Sequence, residues 1–327
     1  MVAKIKSITE APIKDKSKVF VRCDLDVPLN NGQIQNDFRL KACLPTLEYV
    51  LQKGGLPIIA GHIGRPKGKV EPSLSTLILK PFFEKHLKTT RFELLENLRF
   101  DPREEEGNDE LAQEIAQKAD FYVNESFATC HREHTSITFL PKYLPAYAGL
   151  NLENEITFLN NLLNKPKKPF VSVVGGAKLE SKKPAVDKLL EISNEVLLGG
   201  KIGLEWEQSI PENLHIPLDY AEQNKDIGPK TIETYKKILE KAKTILWAGP
   251  LGVYQNPKFI TGTKQIGGFV AGLTQEQDIF SIIGGGDTIT ALSDLNLLDK
   301  YSFVSTGGSS LLQFIARETL PGLEVLK

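Results

Sequence analysis

Residues 282–292 of the chain read IIGGGDTITAL. An apolar run of strand length ends there in three glycines, and a helical pattern begins at about Asp287. A strand that meets a helix through a glycine turn is typical of open α/β sheets, where backbone N–H groups and the helix dipole favour phosphate. Two further turns of this kind lie at 174–178 (VGGAK) and 305–310 (STGGSS). Together, the three turns predict a phosphate-binding edge in the second half of the chain.

The same alternation of strand and helix patterns runs through the whole chain. Continuous apolar strands with helical crossovers indicate parallel sheets covered on both faces. The fold class is therefore predicted as α/β, with two doubly wound, Rossmann-like parallel sheets. The predicted strands are 18–25, 55–63, 92–98, 120–127, 168–175, 195–199, 244–248, 277–284 and 301–306. The predicted helices are 38–53, 74–88, 108–119, 181–193, 229–243, 287–297 and 309–318.

A further helical pattern separates the two arrays and suggests two domains. We expect a first domain over residues 1–152, a joining helix over 153–165 and a second domain over 166–314. A length of 327 residues is in keeping with two domains, since one domain usually has about 100–200 residues.

Composition excludes several classes of protein. With 41% hydrophobic and 25% charged residues, the chain is expected to fold as a soluble globular protein. A net charge of -1 argues against a nucleic-acid partner, and no apolar run is long enough to span a membrane. The start, 1–6, has no apolar core behind it, which predicts no secretory signal. Cys23, Cys43 and Cys130 are interpreted as reduced thiols, so we expect a cytoplasmic protein.

Arginine and glycine are distributed unevenly along the chain. Seven of the eight arginines lie at or before Arg132, whereas 18 of the 26 glycines follow residue 150. Arginine is the forked donor for carboxylates and phosphates, and glycine lets the backbone approach a phosphate. This division predicts an anion-binding half followed by a nucleotide-binding half. In the first half, the basic residues at strand ends or helix starts are Arg22, Arg39, His62, Arg65, Arg99 and Arg132.

The alternative for each arginine is an ion pair with a nearby carboxylate such as Asp24, Asp26 or Glu96. Arg22 is the strongest candidate for such a structural role. The acidic run 104–106 is interpreted as a solvated loop. No third ligand accompanies the histidines at 131 and 134, and the chain has neither GxxxxGK[ST] nor GxGxxG, so neither a metal centre nor a Walker or dinucleotide loop is indicated.

Ten stretches, in order, make the chain resemble the phosphoglycerate kinase family along nearly its whole length. They are VFVRCDLDVPL (19–29), GHIGRPKG (61–68), LLENLRF (94–100), YVNESFATCHREHTS (122–136), VVGGAKLESK (173–182), DIGPKT (226–231), WAGPLGVYQ (247–255), IIGGGDTITAL (282–292), STGGSSLLQF (305–314) and LPGLEVL (320–326). The resemblance implies reversible phosphoryl transfer from 1,3-bisphosphoglycerate to ADP, giving 3-phosphoglycerate and ATP. It also implies a hinge helix, closure of the two domains on two substrates and a tail, about 315–327, folded onto the first domain.

The resemblance also implies roles for individual residues. Arg39, Lys178, Gly285 and Gly308 would face the transferred phosphoryl group, and Lys182 would hold a nucleotide phosphate. Asp287 would hold the Mg²⁺ that accompanies ATP or ADP. The implied substrate-binding residues for 3-phosphoglycerate or 1,3-bisphosphoglycerate are Asp24, Asp26, Arg39, His62, Arg65, Arg99 and Arg132. The implied nucleotide-binding residues are Gly176, Ala177, Lys178, Lys182, Pro250, Gly252, Gln255, Gly284, Gly285, Gly286, Asp287 and Thr288.

The chain departs from the family pattern mainly on the nucleotide side. It is shorter before LLENLRF and between Gly200 and Asp226, where part of the adenine pocket is expected. Ala248, Gln255 and Ser309 replace the usual asparagine, glutamate and glycine, and Asp26 replaces an asparagine in the glycerate site. These changes predict weakened or altered nucleotide affinity.

Two alternatives to an active phosphoglycerate kinase follow from these departures. One is a catalytically weak relative that binds phosphate ligands or a partner protein. The other is a kinase for a different carboxylic acid, which the complete set of arginines disfavours. We expect a monomer whose partners are small molecules, with no nucleic acid and no membrane.

Overall fold

Strands with buried residues on both faces form two separate parallel sheets in the computed structural model, which describes residues 5–221, 223–277 and 279–327. Each sheet belongs to a unit of its own. The first unit consists of the chain up to Phe158 together with Thr319–Lys327, and the second unit is Leu159–Glu318. Residues 1–4, part of the stretch on which the absence of a secretory signal was predicted, lie outside the described residues.

The first unit has a five-stranded sheet with β1 at its centre. The strands of this unit are β1 (Lys18–Cys23), β2 (Leu29–Asn30), β3 (Gln33–Ile34), β4 (Leu56–Ala60), β5 (Glu93–Leu94), β6 (Phe121–Glu125) and β7 (Ala146–Ala148). The order is β5-β4-β1-β6-β7 with every pair parallel, and β2 and β3 form a separate hairpin. After β1, the chain first adds β4 and β5 on one side of this strand and then β6 and β7 on the other. The loops after β1, β4 and β6 therefore meet at one edge of the sheet.

Helices cover this sheet and lead out of it. They are α1 (Phe38–Gln52), α2 (Lys80–Leu87), α3 (Pro102–Glu106), α4 (Asp109–Ala116) and α5 (Leu150–Asn164). Leu40, Cys43, Leu47 and Val50 of α1 recur at helical spacing and are buried in the core of the first unit. The helix α5 spans the boundary between the two units, where a joining helix was predicted over 153–165.

The second unit repeats the doubly wound pattern in a six-stranded parallel sheet of order β10-β9-β8-β13-β14-β15. Its strands are β8 (Phe170–Val174), β9 (Glu195–Leu198), β10 (Leu214–His215), β11 (Tyr220–Ala221), β12 (Asp226–Ile227), β13 (Thr244–Ala248), β14 (Phe280–Gly284) and β15 (Phe303–Val304), of which β11 and β12 form a separate antiparallel pair. The winding reverses between β8 and β13. The loops after these two strands therefore border the crevice where ligands bind in open α/β sheets.

Six α-helices follow α5 in the described part of the second unit. They are α6 (Lys183–Ile192), α7 (Gly200–Leu204), α8 (Pro229–Leu239), α9 (Thr261–Glu276), α10 (Gly286–Asp294) and α11 (Ser309–Arg317). In α8, Pro229 occupies the first turn, where its missing N–H costs nothing, and Thr231, Tyr235 and Leu239 form a buried stripe four residues apart.

The end of the chain belongs to the first unit. A short helix, α12 (Pro321–Glu324), lies there, and the N–H of Gly322 donates to the carbonyl of Cys130 at 2.9 Å. The N–H of Lys6 donates to the carbonyl of Leu326 at 2.8 Å. The last residues therefore tie the start of the first unit to the loop after β6.

The predicted α/β fold class is confirmed, whereas two local predictions differ from the structure. The predicted helix 74–88 is a 3₁₀ turn followed by α2, with Pro81 in the first turn of α2. The acidic run 104–106 is not a solvated loop. It lies in α3, where Glu104 is 1% exposed. Within the residues that the structure describes, no helix is long and apolar enough to cross a membrane, and the three cysteines are free and buried.

A buried carboxyl group lies at the start of α5. Glu125, the last residue of β6, accepts a hydrogen bond from the N–H of Asn151 at 2.8 Å, and the hydroxyl of Thr46 also contacts its carboxyl group. Burial raises the pKa of Glu125 to about 8. The hydrogen bonds to its carboxyl group oppose this increase, and the charge of the buried Glu155 adds to it. The folded protein therefore favours the protonated form of Glu125.

We expect Glu125→Gln to stabilise the protein at alkaline pH. The pKa of this carboxyl group is about 4.5 in the unfolded chain and about 8 in the fold, so its stabilising contribution is complete below pH 4.5 and is lost as the pH rises to 8. Glutamine stays neutral and avoids that loss. Urea unfolding at pH 5 and pH 9 measures the effect. Between pH 5 and pH 9, the free energy of unfolding of the variant should rise by at least about 1 kcal/mol relative to that of the parent. The full pKa shift sets an upper limit of about 5 kcal/mol for this difference. A difference that does not change with pH would contradict this account.

Candidate functional site

The predicted glycerate-site residues follow four neighbouring strands of the first sheet. Asp24 and Asp26 follow β1, His62 and Arg65 follow β4, and Arg99 follows β5. Arg132 lies in the segment after β6, and Arg39 is in the first turn of α1. Because the strands are parallel, all these segments leave the same edge of the sheet. The structure thus brings together residues that are up to 108 positions apart in the sequence.

Arg39 lies between the two aspartates. Its Nε is 3.4 Å from Oδ2 of Asp24, and its Nη1 donates to the backbone carbonyl of Asp26 at 3.0 Å. Burial raises the pKa of Asp24, and the guanidinium group of Arg39 is the main opposing influence. The carboxylate of Asp26 is more open, and its Oδ1 accepts from the N–H of Gly64 at 2.9 Å. This arrangement fixes Arg39 while leaving part of its guanidinium group at the surface.

His62 is held in one tautomer by a buried arginine. Nη2 of Arg22 lies 3.0 Å from Nδ1 of His62. A guanidinium group can only donate, so Nδ1 accepts and the proton of neutral His62 is on Nε2. Nε2 is 3.9 Å from Oδ2 of Asp26. The N–H of the imidazole is therefore directed toward the predicted anion site.

Arg22 is structural, as the alternative interpretation of the sequence suggested. It is fully buried, and its Nε donates to Oγ of Ser136 at 2.9 Å. The same serine donates from its N–H and hydroxyl to the carboxylate of Glu104, at 3.0 and 2.6 Å. The buried guanidinium group is thus balanced by a carboxylate that the sequence analysis placed in a solvated loop.

The remaining arginines differ in how they are paired. Arg99 is buried, and its Nη1 donates to the carbonyl of Gly64 at 2.8 Å while Nε lies 3.2 Å from Oε1 of Glu105. Arg65 is exposed and Arg132 is half-buried. Neither of these two side chains has a carboxylate within ion-pair distance among the described residues. Two guanidinium groups are therefore available to a ligand.

Three histidines near these arginines have lowered pKa values, with burial as the main cause and arginine charge as a further one. Burial and the neighbouring Arg132 lower the pKa of His131 to about 4. Burial, with Arg99 and Arg132, lowers the pKa of His134 to about 3. The pKa of His62 is also well below its usual value because of burial and the charge of Arg22. Burial alone disfavours any charge, and it is the contribution of the arginine charges to these shifts that favours an anion here.

The glycine turns of the second unit lie at the carboxyl edge of its sheet. Gly176 follows β8, Gly285 precedes α10, and Gly308 precedes α11. Gly176 has φ +114° and Gly285 has φ +96°, which favour glycine over residues with a side chain. Lys182 folds back under the first turn, where its ammonium group donates to the carbonyl of Gly175. Burial lowers the pKa of Lys182 to about 8, while the charge of Asp287 opposes the shift.

A cavity of about 540 Å³ opens beside these turns. Six of the predicted nucleotide residues line it: Gly176, Ala177, Pro250, Gly252, Gln255 and Asp287. Eight further lining residues were not predicted as site residues: Gly200, Lys201, Leu204, Gln223, Asn224, Lys225, Val253 and Tyr254. Five of these eight come from the segment between Gly200 and Asp226 in which the chain is shorter than the family pattern. The shortened segment thus still contributes to the cavity wall.

The other predicted nucleotide residues have different surroundings. Lys178 is exposed, with no hydrogen bond or ion pair recorded for its side chain among the described residues. Thr288 is fully buried, and its hydroxyl accepts from the N–H of Gly249 at 2.7 Å. Thr288 thereby fixes the loop after β13. Gly284 ends β14, and Gly286 begins α10.

Asp287 is the described residue best placed to hold a cation that arrives with a nucleotide. It is exposed in the first turn of α10 and lines the cavity, and its Oδ1 accepts from the hydroxyl of Tyr254 at 3.2 Å. Within the described residues, no group of three or more His, Cys, Asp or Glu side chains could hold a metal ion. One carboxylate with substrate phosphates is a usual magnesium arrangement, so Asp287 fits such an ion.

Comparisons with known proteins cover nearly the whole chain and agree with one another. The sequence model of the family described as phosphoglycerate kinase matches residues 8–92, 83–209 and 207–318. The phosphoglycerate kinase of Leptospira biflexa is 35% identical, with 99% of this chain and 98% of the relative covered. That of Coprothermobacter proteolyticus is 32% identical, with 99% of both chains covered.

Solved structures show the same similarity. The phosphoglycerate kinase from Coxiella burnetii has a TM-score of 0.82 at 30% identity, with 99% of both chains covered. That from Pyrococcus horikoshii has a TM-score of 0.84 at 26% identity, with 98% of both chains covered. The alignment to the Leptospira relative spans 397 positions against 327 residues here, so about 70 of its positions have no counterpart in this chain.

Proposed function

The chain belongs to the phosphoglycerate kinase family, whose reaction is reversible phosphoryl transfer from 1,3-bisphosphoglycerate to ADP, giving 3-phosphoglycerate and ATP. From this premise we propose how its own residues divide the work. The first unit binds the phosphoglycerate, and the second binds the nucleotide. Transfer needs both substrates in contact with water excluded, because water would hydrolyse the acyl phosphate, so we propose that the two units close during the reaction.

Arg65 and Arg132 carry the proposal for the first unit. They are two guanidinium groups without carboxylate partners, at an edge where three histidine pKa values are already lowered. A phosphate monoester suits such groups, because each guanidinium group can donate two hydrogen bonds to it. Arg99 and the N–H of His62 would add further donors. Asp24 and Asp26 would accept from the hydroxyl group of the glycerate.

In the second unit, the cavity beside the glycine turns would take the nucleotide. Leu204 and Val253 are 42% and 44% exposed on its wall, an apolar setting suited to a base. Gln255 would face the ribose. Lys182 would bind a nucleotide phosphate once its ammonium group leaves the carbonyl of Gly175.

The transfer itself is a matter of position and charge. A phosphoryl group in flight spreads negative charge over its oxygens, so cations and N–H groups aimed at those oxygens lower the barrier. We propose Lys178, Arg39 and the N–H groups of Gly285 and Gly308 for this role. Magnesium, held by Asp287 and the nucleotide phosphates, would neutralise further charge. The nucleophile is already an anion, so no general base is required.

Arg132→Ala tests the assignment of the first unit. A lost charge-assisted, bidentate contact to phosphate is worth about 1.5–3 kcal/mol, so we expect calorimetry to show roughly 10- to 100-fold weaker binding of 3-phosphoglycerate. ADP binding and the melting temperature should not change. Arg91→Ala is the matched control. Arg91 lies just before β5, at the amino end of that strand, whereas Arg132 lies at the carboxyl edge of the sheet. Unchanged 3-phosphoglycerate affinity in Arg132→Ala would refute the assignment.

Base recognition is proposed to be weaker or less selective than the family pattern implies. The cavity wall carries Gln223, Asn224 and Lys225 in the shortened segment, and Gln255 replaces the usual glutamate. Amide groups both donate and accept, so they distinguish adenine from guanine poorly. We expect ADP and GDP affinities within about tenfold of each other by calorimetry. Tight, adenine-selective binding would overturn this expectation.

The catalytically weak relative is the less favoured alternative, because Lys178, Arg39 and the glycine turns are all present. We further propose that the protein works as a monomer in the cytoplasm on small-molecule substrates, without nucleic-acid or membrane partners. The reduced state of the three cysteines and the net charge of -1 support this setting.

A further inference from the structure

Tyr254 links two loops of the nucleotide cavity through its hydroxyl group. The tyrosine lies in the loop after β13, and its hydroxyl donates to Oδ1 of Asp287 at 3.2 Å, in the first turn of α10. Both side chains line the cavity of about 540 Å³. Tyr254 does not stand out in the sequence, because its role depends on a contact between residues 33 positions apart.

This hydrogen bond fixes a carboxylate that would otherwise be free to rotate. Asp287 is exposed, and among the described residues its carboxylate accepts a hydrogen bond from Tyr254. A phenol that donates to Oδ1 leaves Oδ2 as the open lone-pair donor. It also reduces the negative charge on Oδ1, which favours a single carboxylate oxygen as the ligand of a cation.

The loop that carries Tyr254 does not need the phenol hydroxyl for its fold. The N–H of Leu251 donates to the hydroxyl of Thr263 at 3.0 Å, and the N–H of Val253 donates to the carbonyl of Lys225 at 2.9 Å. The N–H of Asn256 donates to the carbonyl of Val253 at 3.0 Å. Removal of the phenol oxygen therefore leaves the backbone bonds of the loop in place, and its effect should be confined to the two side chains that meet the hydroxyl, Asp287 and Thr290.

We propose that Tyr254 is a positioning residue for nucleotide recognition: its hydroxyl orients the Asp287 carboxylate so that one oxygen is offered to the magnesium ion carried by ADP or ATP. The inference rests on the proposed function, since it assumes that Asp287 meets that ion. The inference goes beyond the proposed function because it assigns the orientation of the Asp287 carboxylate to a second side chain, that of Tyr254. The consequence is selective: Tyr254 should affect binding of the magnesium complex and not that of the metal-free nucleotide.

Tyr254→Phe keeps the ring and removes the hydroxyl, and calorimetry with ADP in the presence of magnesium or of a chelator separates the two forms. We expect affinity for magnesium-ADP to fall about 3- to 10-fold, while affinity for metal-free ADP stays within twofold. Tyr220→Phe is the matched control in the same unit, because the Tyr220 hydroxyl has no hydrogen-bond partner in the described part of the chain. That control should leave both affinities unchanged.

Asp287→Asn completes a double-mutant cycle. It should weaken magnesium-ADP binding by itself, and the addition of Tyr254→Phe should then cause no further loss. If Asp287→Asn weakens magnesium-ADP while Tyr254→Phe does not, or if the two losses add, the inference about Tyr254 is overturned and the proposed role of Asp287 stands. If Asp287→Asn leaves the magnesium dependence intact, that role fails, and the inference about Tyr254 fails with it.

Discussion

Lys178→Ala should reduce kcat about 10²- to 10³-fold while KM for each substrate changes only a few-fold. The loss of one group that stabilises charge in the transition state costs this much in enzymes that rely on electrostatic stabilisation. Lys178 is exposed, and no hydrogen bond or ion pair is recorded for its side chain among the described residues, so its removal should leave the melting temperature unchanged. A steady-state assay together with a thermal melt measures both effects.

Lys241→Ala serves as the matched control for this variant. Lys241 is also exposed, and it lies just before β13, at the amino end of the second sheet rather than at the edge that carries the glycine turns. The control should retain full activity. If Lys178→Ala kept more than about a tenth of the parental kcat, the phosphoryl group would be stabilised by other residues, and the role proposed for Lys178 would be wrong.

Arg39→Ala should lower kcat/KM for 3-phosphoglycerate at least about 100-fold. Arg39 is proposed to contact the transferred group, and it is also the main influence that opposes the raised pKa of the buried Asp24. Its removal therefore takes away a cation and leaves a buried carboxyl group unpaired, which should also lower the free energy of unfolding by about 1–3 kcal/mol. Kinetics and urea unfolding report the two effects.

Arg39→Lys separates the charge of this side chain from its shape. Lysine keeps the positive charge but cannot approach Asp24 and the substrate with a planar fork, so the activity should lie between that of the parent and that of Arg39→Ala. Arg91→Ala is the control for surface arginines in the same unit. Activity in Arg39→Ala within tenfold of the parent would exclude Arg39 from the reaction.

The parts of the fold that the sequence predicted well are those with continuous buried patterns. The strand predicted at 244–248 is β13 with the same bounds, because all five residues are buried on a central strand. The helix predicted at 38–53 is α1, one residue shorter. In both elements the apolar spacing is set by the core, so local sequence and global fold carry the same information.

Edge strands were harder to predict. The sequence suggested strands at 92–98 and 301–306, whereas β5 and β15 each have two residues. The edge strands β7 and β10 were not predicted at all. Such strands pair on one side only, and their length depends on the neighbouring strand rather than on their own apolar pattern.

The candidate site could be predicted where a motif places its residues directly after a strand. Asp24, His62 and Gly285 belong to this group, since the carboxyl ends of parallel strands share one edge. Tyr254 and Leu204 could not be found in this way, because Tyr254 lies in a loop whose course is set by distant contacts and Leu204 lies at the end of the short helix α7. Glu104 looked like part of an acidic surface run, and only the fold shows that it balances the buried Arg22.

The most direct test of the account is turnover by the unmodified protein. Its central claim is that a chain about 70 positions shorter than its aligned relative still performs the transfer. The purified protein would be mixed with 3-phosphoglycerate, ATP and magnesium, and the 1,3-bisphosphoglycerate formed would be detected by coupled reduction. We predict sustained turnover that depends on both substrates. A folded protein that binds 3-phosphoglycerate yet gives no turnover would contradict the account and favour the catalytically weak relative.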